Sequence, residues 1–177
     1  MRLFVALNLP DSIKKYINDY VETIKPIIDG VKWEGEEKYH ITLKFLGHVA
    51  QKDITDIGNI LKSLTSSFYP FELSIKSFGG FPNLKNPRVL IIDMSQNQEL
   101  VEMKEHIEKS LSALGFDEDK RKFTPHVTIG RVKKKYILKS PVSAPDELNF
   151  VSGNIALVES ILKPKGSMYS NLLSINL

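Results

Sequence analysis

Two four-residue strings carry the chemistry this chain offers. His40-Ile41-Thr42-Leu43 recurs as His126-Val127-Thr128-Ile129, both of the form His-aliphatic-Thr-aliphatic. There are four histidines and six threonines in all, and two of the histidines have a threonine two residues on. In an extended strand, successive side chains alternate faces. His40 and Thr42 then share one face, with Ile41, Leu43 and Phe45 pointing the other way; His126 and Thr128 stand the same way against Val127 and Ile129. A pseudo-twofold relation between two such strands would line one cleft with two imidazoles and two hydroxyls.

That inventory suits a phosphodiester. One group must take a proton from an attacking water, and another must protonate the departing oxygen on the far side of phosphorus. Imidazole titrates at about 6.5, so one neutral and one protonated ring coexist near neutrality. Threonine hydroxyls can donate to the non-bridging oxygens, whose charge must be held in the transition state. The scheme calls for neither a metal nor a cofactor. Zinc would want three protein ligands at recognisable spacing, and neither His40 nor His126 has histidines or clustered carboxylates so placed. The chain has no cysteine, which excludes thiolate nucleophiles, thiolate metal sites and disulfides. No Gly-x-Ser-x-Gly elbow occurs, and Gly79-Gly80 lacks the Lys-Ser/Thr and helix of a phosphate loop. His48, His106 and the run Asp117-Glu118-Asp119 read as solvated. Alternation carries the first active face on from Thr42 to Lys44.

The elements that must hold these residues are legible in outline. Arg2 to Leu9 is an apolar run and reads as a buried strand. Asp11 is placed to cap a helix whose apolar residues recur from Ile13 to Ile28, broken near Pro26 and stopped by Gly30. A short segment surrounds Trp33, and a strand follows from His40 to Leu46. A second helix is expected over residues 53–64, with strands over 71–75, extending towards Phe78, and over 88–94. Gly79-Gly80 is expected to break the first of these. A third helix spans 98–114 and a strand 125–132. A Lys-rich turn at 133–135 and a Pro-punctuated loop come next, then strands over 154–162 and 170–175 joined at Pro164-Lys165-Gly166. Consecutive strands without intervening helices argue for an antiparallel α+β architecture. Nothing marks a linker, so residues 1–177 read as one domain. Hydrophobic residues make up 42% and charged residues 25%, which permits a sizeable core, and the net charge of +3 admits an anionic partner. No membrane span or leader is evident, so a cytoplasmic protein is expected.

The surroundings of the two motifs resemble the 2′-5′ RNA ligase-like proteins, or RNA 2′,3′-cyclic phosphodiesterases, of the two-histidine phosphoesterase superfamily. The resemblance covers nearly the whole length: RLFVAL from Arg2, Trp33, HITLKFLG from His40, PRVL from Pro87, FTPHVTIGRV from Phe123, and a C-terminal strand pair with Tyr169. It implies a bilobal α+β fold in which two pseudo-symmetric antiparallel sheets face a central groove, with helices on the outer faces. It also implies metal-free hydrolysis of RNA 2′,3′-cyclic phosphate ends to a 2′-phosphate, and ATP-independent 2′-5′ joining of tRNA halves by a monomer. By resemblance, His40 looks like the proton donor to the leaving O3′, His126 like the base for water, and Thr42 and Thr128 like phosphate donors. Arg131 matches the family's phosphate-holding Arg, although strict alternation puts it on the wrong face unless Gly130 bulges or ends the strand.

Other residues stay open at this level. Lys44 would contact RNA or solvent. Lys120, Arg121, Lys122 and Lys133 to Lys135 either track an RNA backbone or are solvated. A terminal base could stack on Phe4, Phe45, Phe78 or Tyr169. Two other readings compete: an RNA- or tRNA-binding module without turnover, and a phosphodiesterase for small cyclic nucleotides.

Overall fold

The computed structural model describes residues 1–164 and 166–177. Among these residues, nine strands and three α-helices follow one another in the order β1 (Arg2–Asn8), α1 (Asp11–Ile24), β2 (Ile28–Trp33), β3 (His40–His48), α2 (Ile54–Ser63), β4 (Phe71–Phe81), β5 (Val89–Met94), α3 (Gln98–Ser112), β6 (His126–Leu138), β7 (Leu148–Ser152), β8 (Asn154–Lys163) and β9 (Gly166–Asn176). The strands form one antiparallel sheet in the order β7-β4-β5-β6-β3-β1-β8-β9, and β2 pairs with β6. The expected α+β class and its two facing sheets are present. They are β3-β1-β8-β9 and β6-β5-β4-β7, joined at a single rung where Ile41 pairs with Val127. The second half comes from one stretch, β4 to β7, whereas the first joins β1 and β3 to β8 and β9, with β8 returning to β1. Among the described residues no helix is long and apolar enough to cross a membrane.

Helix α1 buries Ile13, Ile17, Val21 and Ile24, spaced to share one face. It ends ahead of Pro26, which lies in a 3₁₀ turn over Lys25–Ile27. The expected cap at Asp11 is not the one used. Asp11 is already helical, and the Pro10 carbonyl accepts the Ile13 and Lys14 N–H groups at 3.0 Å each. In α3, the Asn97 side chain accepts the Leu100 N–H at 2.8 Å, and Leu100, Met103, Ile107 and Leu111 are buried. The core joins these helical faces to Leu3, Val5, Leu7, Ile41, Leu90, Ile92, Val127 and Ile129.

Three strand expectations change. β4 runs through Gly79-Gly80 to Phe81, in register with β5. The Lys133 to Lys135 segment is strand, because β6 continues to Leu138 alongside β2. The loop ahead of β8 contains β7, which pairs with β4 from Phe71 to Ile75. Of the expected turn at residues 164–166, Lys165 lies outside the described residues.

Candidate active site

The rung at Ile41 and Val127 is the centre of the site. Strands β3 and β6 are antiparallel there, so the motifs run past each other in opposite directions. Each histidine stands at the level of the other motif's threonine, and Ile41 and Val127, both fully buried, hold the rung from behind. His40, Thr42, His126, Thr128 and Arg131 all line one groove of about 600 Å³, a size suited to a nucleotide-scale ligand.

Both imidazoles are held in the same way. His40 Nδ1 lies 2.6 Å from the Lys38 carbonyl, and His126 Nδ1 lies 2.7 Å from the Thr124 carbonyl. A carbonyl can only accept, so Nδ1 carries the hydrogen and Nε2 is left for proton transfer. His40 Nε2 meets the Thr42 hydroxyl at 3.1 Å. Burial pushes His40 down to about 4; the Lys38 carbonyl opposes this, while His126, Lys14 and Arg131 add to it. The ring is therefore neutral at pH 7.

A bulge in each motif strand settles which later residues enter the groove. In β3, Val5 pairs with Lys44 and Ala6 with Thr42, so Leu43 is the unpaired residue. In β6, Leu90 pairs with Gly130 and Ile91 with Thr128, so Ile129 is unpaired. Both extra residues lie three positions after the histidine. Each bulge shifts the alternation by one, and the fifth residue after each histidine then shares its face. Those residues are Phe45 and Arg131; alternation alone puts Phe45 on the opposite face from His40, and the bulge at Leu43 corrects this.

Arg131 thereby lines the groove, with its Nε 3.2 Å from Glu34 Oε1. Gly130 precedes it because β2 passes close by: a Cβ there would sit 2.6 Å from Val31 Cγ1. The same shift corrects the expectation for Lys44. It still borders the groove but is buried, 3% exposed. Its ammonium binds Glu108 and donates to the Asp117 carbonyl at 2.6 Å. Lys104 joins Glu108 at 2.8 Å, and the Asp119 N–H donates to the same carboxylate at 3.1 Å. This buried cluster ties β3 and α3 to the segment before His126. The cations and the Asp119 N–H keep the Glu108 carboxyl low against the opposing effect of its burial.

Aromatic rings flank the histidines. Phe4 lies 4.9 Å and Tyr169 5.5 Å from the His40 ring, and Phe81 meets His126 edge-on at 4.9 Å. Phe45, 68% exposed, completes the rim. Phe78 packs against the core, away from the groove. Phe81 escapes sequence reading because its strand reads as ending at Gly79-Gly80. Of the basic residues flanking the second motif in sequence, Arg121, Lys122 and Arg131 line the groove, whereas Lys120 and Lys133 to Lys135 do not. Arg121 is engaged by Asp119 at 2.6 Å. His48 and His106 lie outside the groove. Among the described residues, no three His, Asp or Glu side chains gather where they could hold a metal ion.

The family described as LigT like Phosphoesterase matches residues 7–91 and 92–166, one His-x-Thr motif falling in each span. This chain belongs to that family. It is 37% identical over 175 residues to a Methanocaldococcus jannaschii protein named RNA 2′,3′-cyclic phosphodiesterase, covering 96% of each chain. Relatives of the same name occur in Archaeoglobus fulgidus, 36% identical over 97% of this chain and 98% of the other, and in Thermotoga maritima, 31% identical over 97% and 93%. Among solved structures, a Thermus thermophilus protein superposes with a TM-score of 0.81 at 26% identity, over 100% of this chain and 98% of that one. Escherichia coli LigT complexed with 3′-AMP gives 0.84 at 21% identity, over 99% and 97%. The LigT likeness is one of fold.

Proposed function

We propose that this LigT-like phosphoesterase hydrolyses RNA 2′,3′-cyclic phosphodiester ends to a 2′-phosphomonoester by proton transfer between two histidines. The observation that carries the reading is the pair of imidazoles, each fixed through Nδ1 by the carbonyl two residues earlier, in one groove with Arg131. Membership in the family, and the shared name of the relatives, support the substrate.

His126 Nε2 takes a proton from water as its oxygen bonds to phosphorus. The P–O3′ bond breaks, and His40 Nε2 delivers a proton to O3′. Thr42, Thr128 and the Arg131 guanidinium hold the non-bridging oxygens. His40 must be protonated to act, yet burial alone leaves it neutral at pH 7. The anionic phosphodiester favours the imidazolium beside it, so the competent acid is assembled in the complex. Positioned acid–base groups each contribute about 10²–10⁴-fold. A 5′-hydroxyl in place of water would give a 2′-5′ linkage with the same residues, which is the route by which tRNA halves would be joined.

The test is to incubate RNA ending in a 2′,3′-cyclic phosphate with the protein in EDTA and locate the product phosphate. A 2′-phosphate supports the reading; a 3′-phosphate reverses the leaving group; no turnover, with RNA binding retained, leaves a binding module.

A further inference from the structure

Beyond His40 the groove continues into a second cavity of about 810 Å³. The two share Phe4, His40 and Tyr169 as a common wall. The floor of the second is set by strand register. His40 pairs with Asn8, Asn8 with Asn154, and Asn154 with Asn176, across β3, β1, β8 and β9. A polar row therefore leads away from the catalytic imidazole over the width of one half-sheet. Asn8 Nδ2 donates to Asn154 Oδ1 at 2.6 Å, and Asn154 Nδ2 donates to Asn176 Oδ1 at 2.6 Å. The Ser174 hydroxyl also donates to Asn154 Oδ1, at 3.0 Å.

These bonds fix the amides in one orientation and leave capacity over. Each carboxamide has two N–H donors and an oxygen with two lone pairs. Among the described residues, Asn8 and Asn154 each spend one N–H in the row, and Asn176 spends none. Lys14, from the first turns of α1, lines the same cavity. Its pair with Asp11 is long, 3.6 Å, and that carboxylate is fully exposed. Lys14 and His40 line this cavity together. Asp11 and Glu37 line the cavity too, so Lys14 is the one cation beside two carboxylates; the amide row against an aromatic wall matches a ribose and a base edge, and Lys14 is the group that can meet a phosphodiester.

We infer that this shelf binds the nucleotide immediately 5′ of the cyclic end, with Lys14 at the connecting phosphodiester and the Asn8–Asn154–Asn176 row at its sugar and base. It deepens the phosphodiesterase reading and rests on it. An isolated nucleoside 2′,3′-cyclic phosphate reaches both histidines but leaves the shelf empty. The shelf therefore makes the site one for RNA ends over mononucleotides.

The experiment compares kcat/KM for adenosine 2′,3′-cyclic phosphate with that for the diribonucleotide ApA ending in the same group, using the wild type, Lys14→Ala and Asn176→Ala. The wild type is expected to favour the dinucleotide by about tenfold or more, the worth of one good polar contact to a charged group. Each variant should pull that ratio down several-fold, with an unaltered circular dichroism spectrum. Equal use of the two substrates by the wild type, or a ratio that neither variant moves, overturns the shelf while leaving the phosphodiesterase standing. Turnover of neither substrate by the wild type overturns the underlying reading, and the shelf with it.

Discussion

The two halves of the groove share a framework and differ in what it carries. In each, a histidine is locked by the carbonyl two residues before it, a threonine follows on the same face, and a bulge at the third position turns the fifth residue inward. In the β6 half that fifth residue is Arg131; in the β3 half it is Phe45. The strand neighbour of the histidine differs as well, Asn8 beside His40 and Asp93 beside His126. A symmetric frame can place two proton-transfer groups about one phosphorus. Only the departures from symmetry can tell the substrate's two sides apart. The Arg131 half suits phosphate charge, and the half with Phe45, Phe4 and Tyr169 suits a base and its chain.

The comparison can be broken at its shared level first. His40→Ala and His126→Ala should each lower kcat/KM on a cyclic-phosphate RNA end by about 10²–10⁴-fold, with the fold kept. A variant within about tenfold of wild type would remove that histidine from the chemistry.

Next comes the buried cluster that joins Lys44 of β3 to α3 and the segment before His126. Glu108→Ala leaves the Lys44 and Lys104 ammoniums buried without their carboxylate. Loss of one partner of such a cluster costs about 3–5 kcal/mol, measurable by urea denaturation. A loss under about 1 kcal/mol, the range of exposed pairs, would show that the cluster is solvated.

The departures from symmetry give smaller effects. Arg131→Ala should cost about 1.5–3 kcal/mol of transition-state binding, the range for hydrogen bonds to charged groups, and by the same amount for every terminal base. Phe45→Ala should cost about 1–3 kcal/mol if a base stacks there, and the loss should vary with the base. Base-dependent losses at Arg131, or uniform ones at Phe45, would exchange the two assignments.

A separate effect is in pH. His40 titrates at about 4 in the folded protein, against about 6.5 for an unfolded histidine. Between those values the unfolded chain binds a proton that the native state does not. Stability should be unaffected above about pH 6.5 and should fall as pH drops towards about 4. Replacing His40 with Gln should flatten that part of the curve. Inorganic phosphate in the groove should raise the His40 value, read from its imidazole resonances by NMR; a fall, or no change, would contradict the proposed acid.

Sequence reading finds the motif strands because alternation holds across His40-Ile41-Thr42 and His126-Val127-Thr128. It misplaces Lys44 and leaves Arg131 without a geometric reason because a bulge is a property of two paired strands. Nothing within HITLKF reveals that Leu43 goes unpaired. Gly79-Gly80 reads as a break because glycine is costly in strands. Here the bare backbone makes room: a Cβ on Gly79 would sit 2.7 Å from Asp93 Oδ2. Phe81 beyond it is lost with the strand. Lys133 to Lys135 read as a turn because the run is charged, yet β6 needs no apolar face where it is paired only with β2 and exposed. The asparagine row is invisible for a similar reason: Asn8, Asn154 and Asn176 are brought together only by register.

The division of labour between the halves is tested most directly by the leaving group. A cyclic end whose 3′ bridging oxygen is replaced by sulfur departs as a thiolate and has little need of an acid. With that substrate, the defect of His40→Ala should largely vanish while the defect of His126→Ala stays. Rescue of His126→Ala in its place, or an undiminished defect in both, would contradict His40 as the proton donor in this groove.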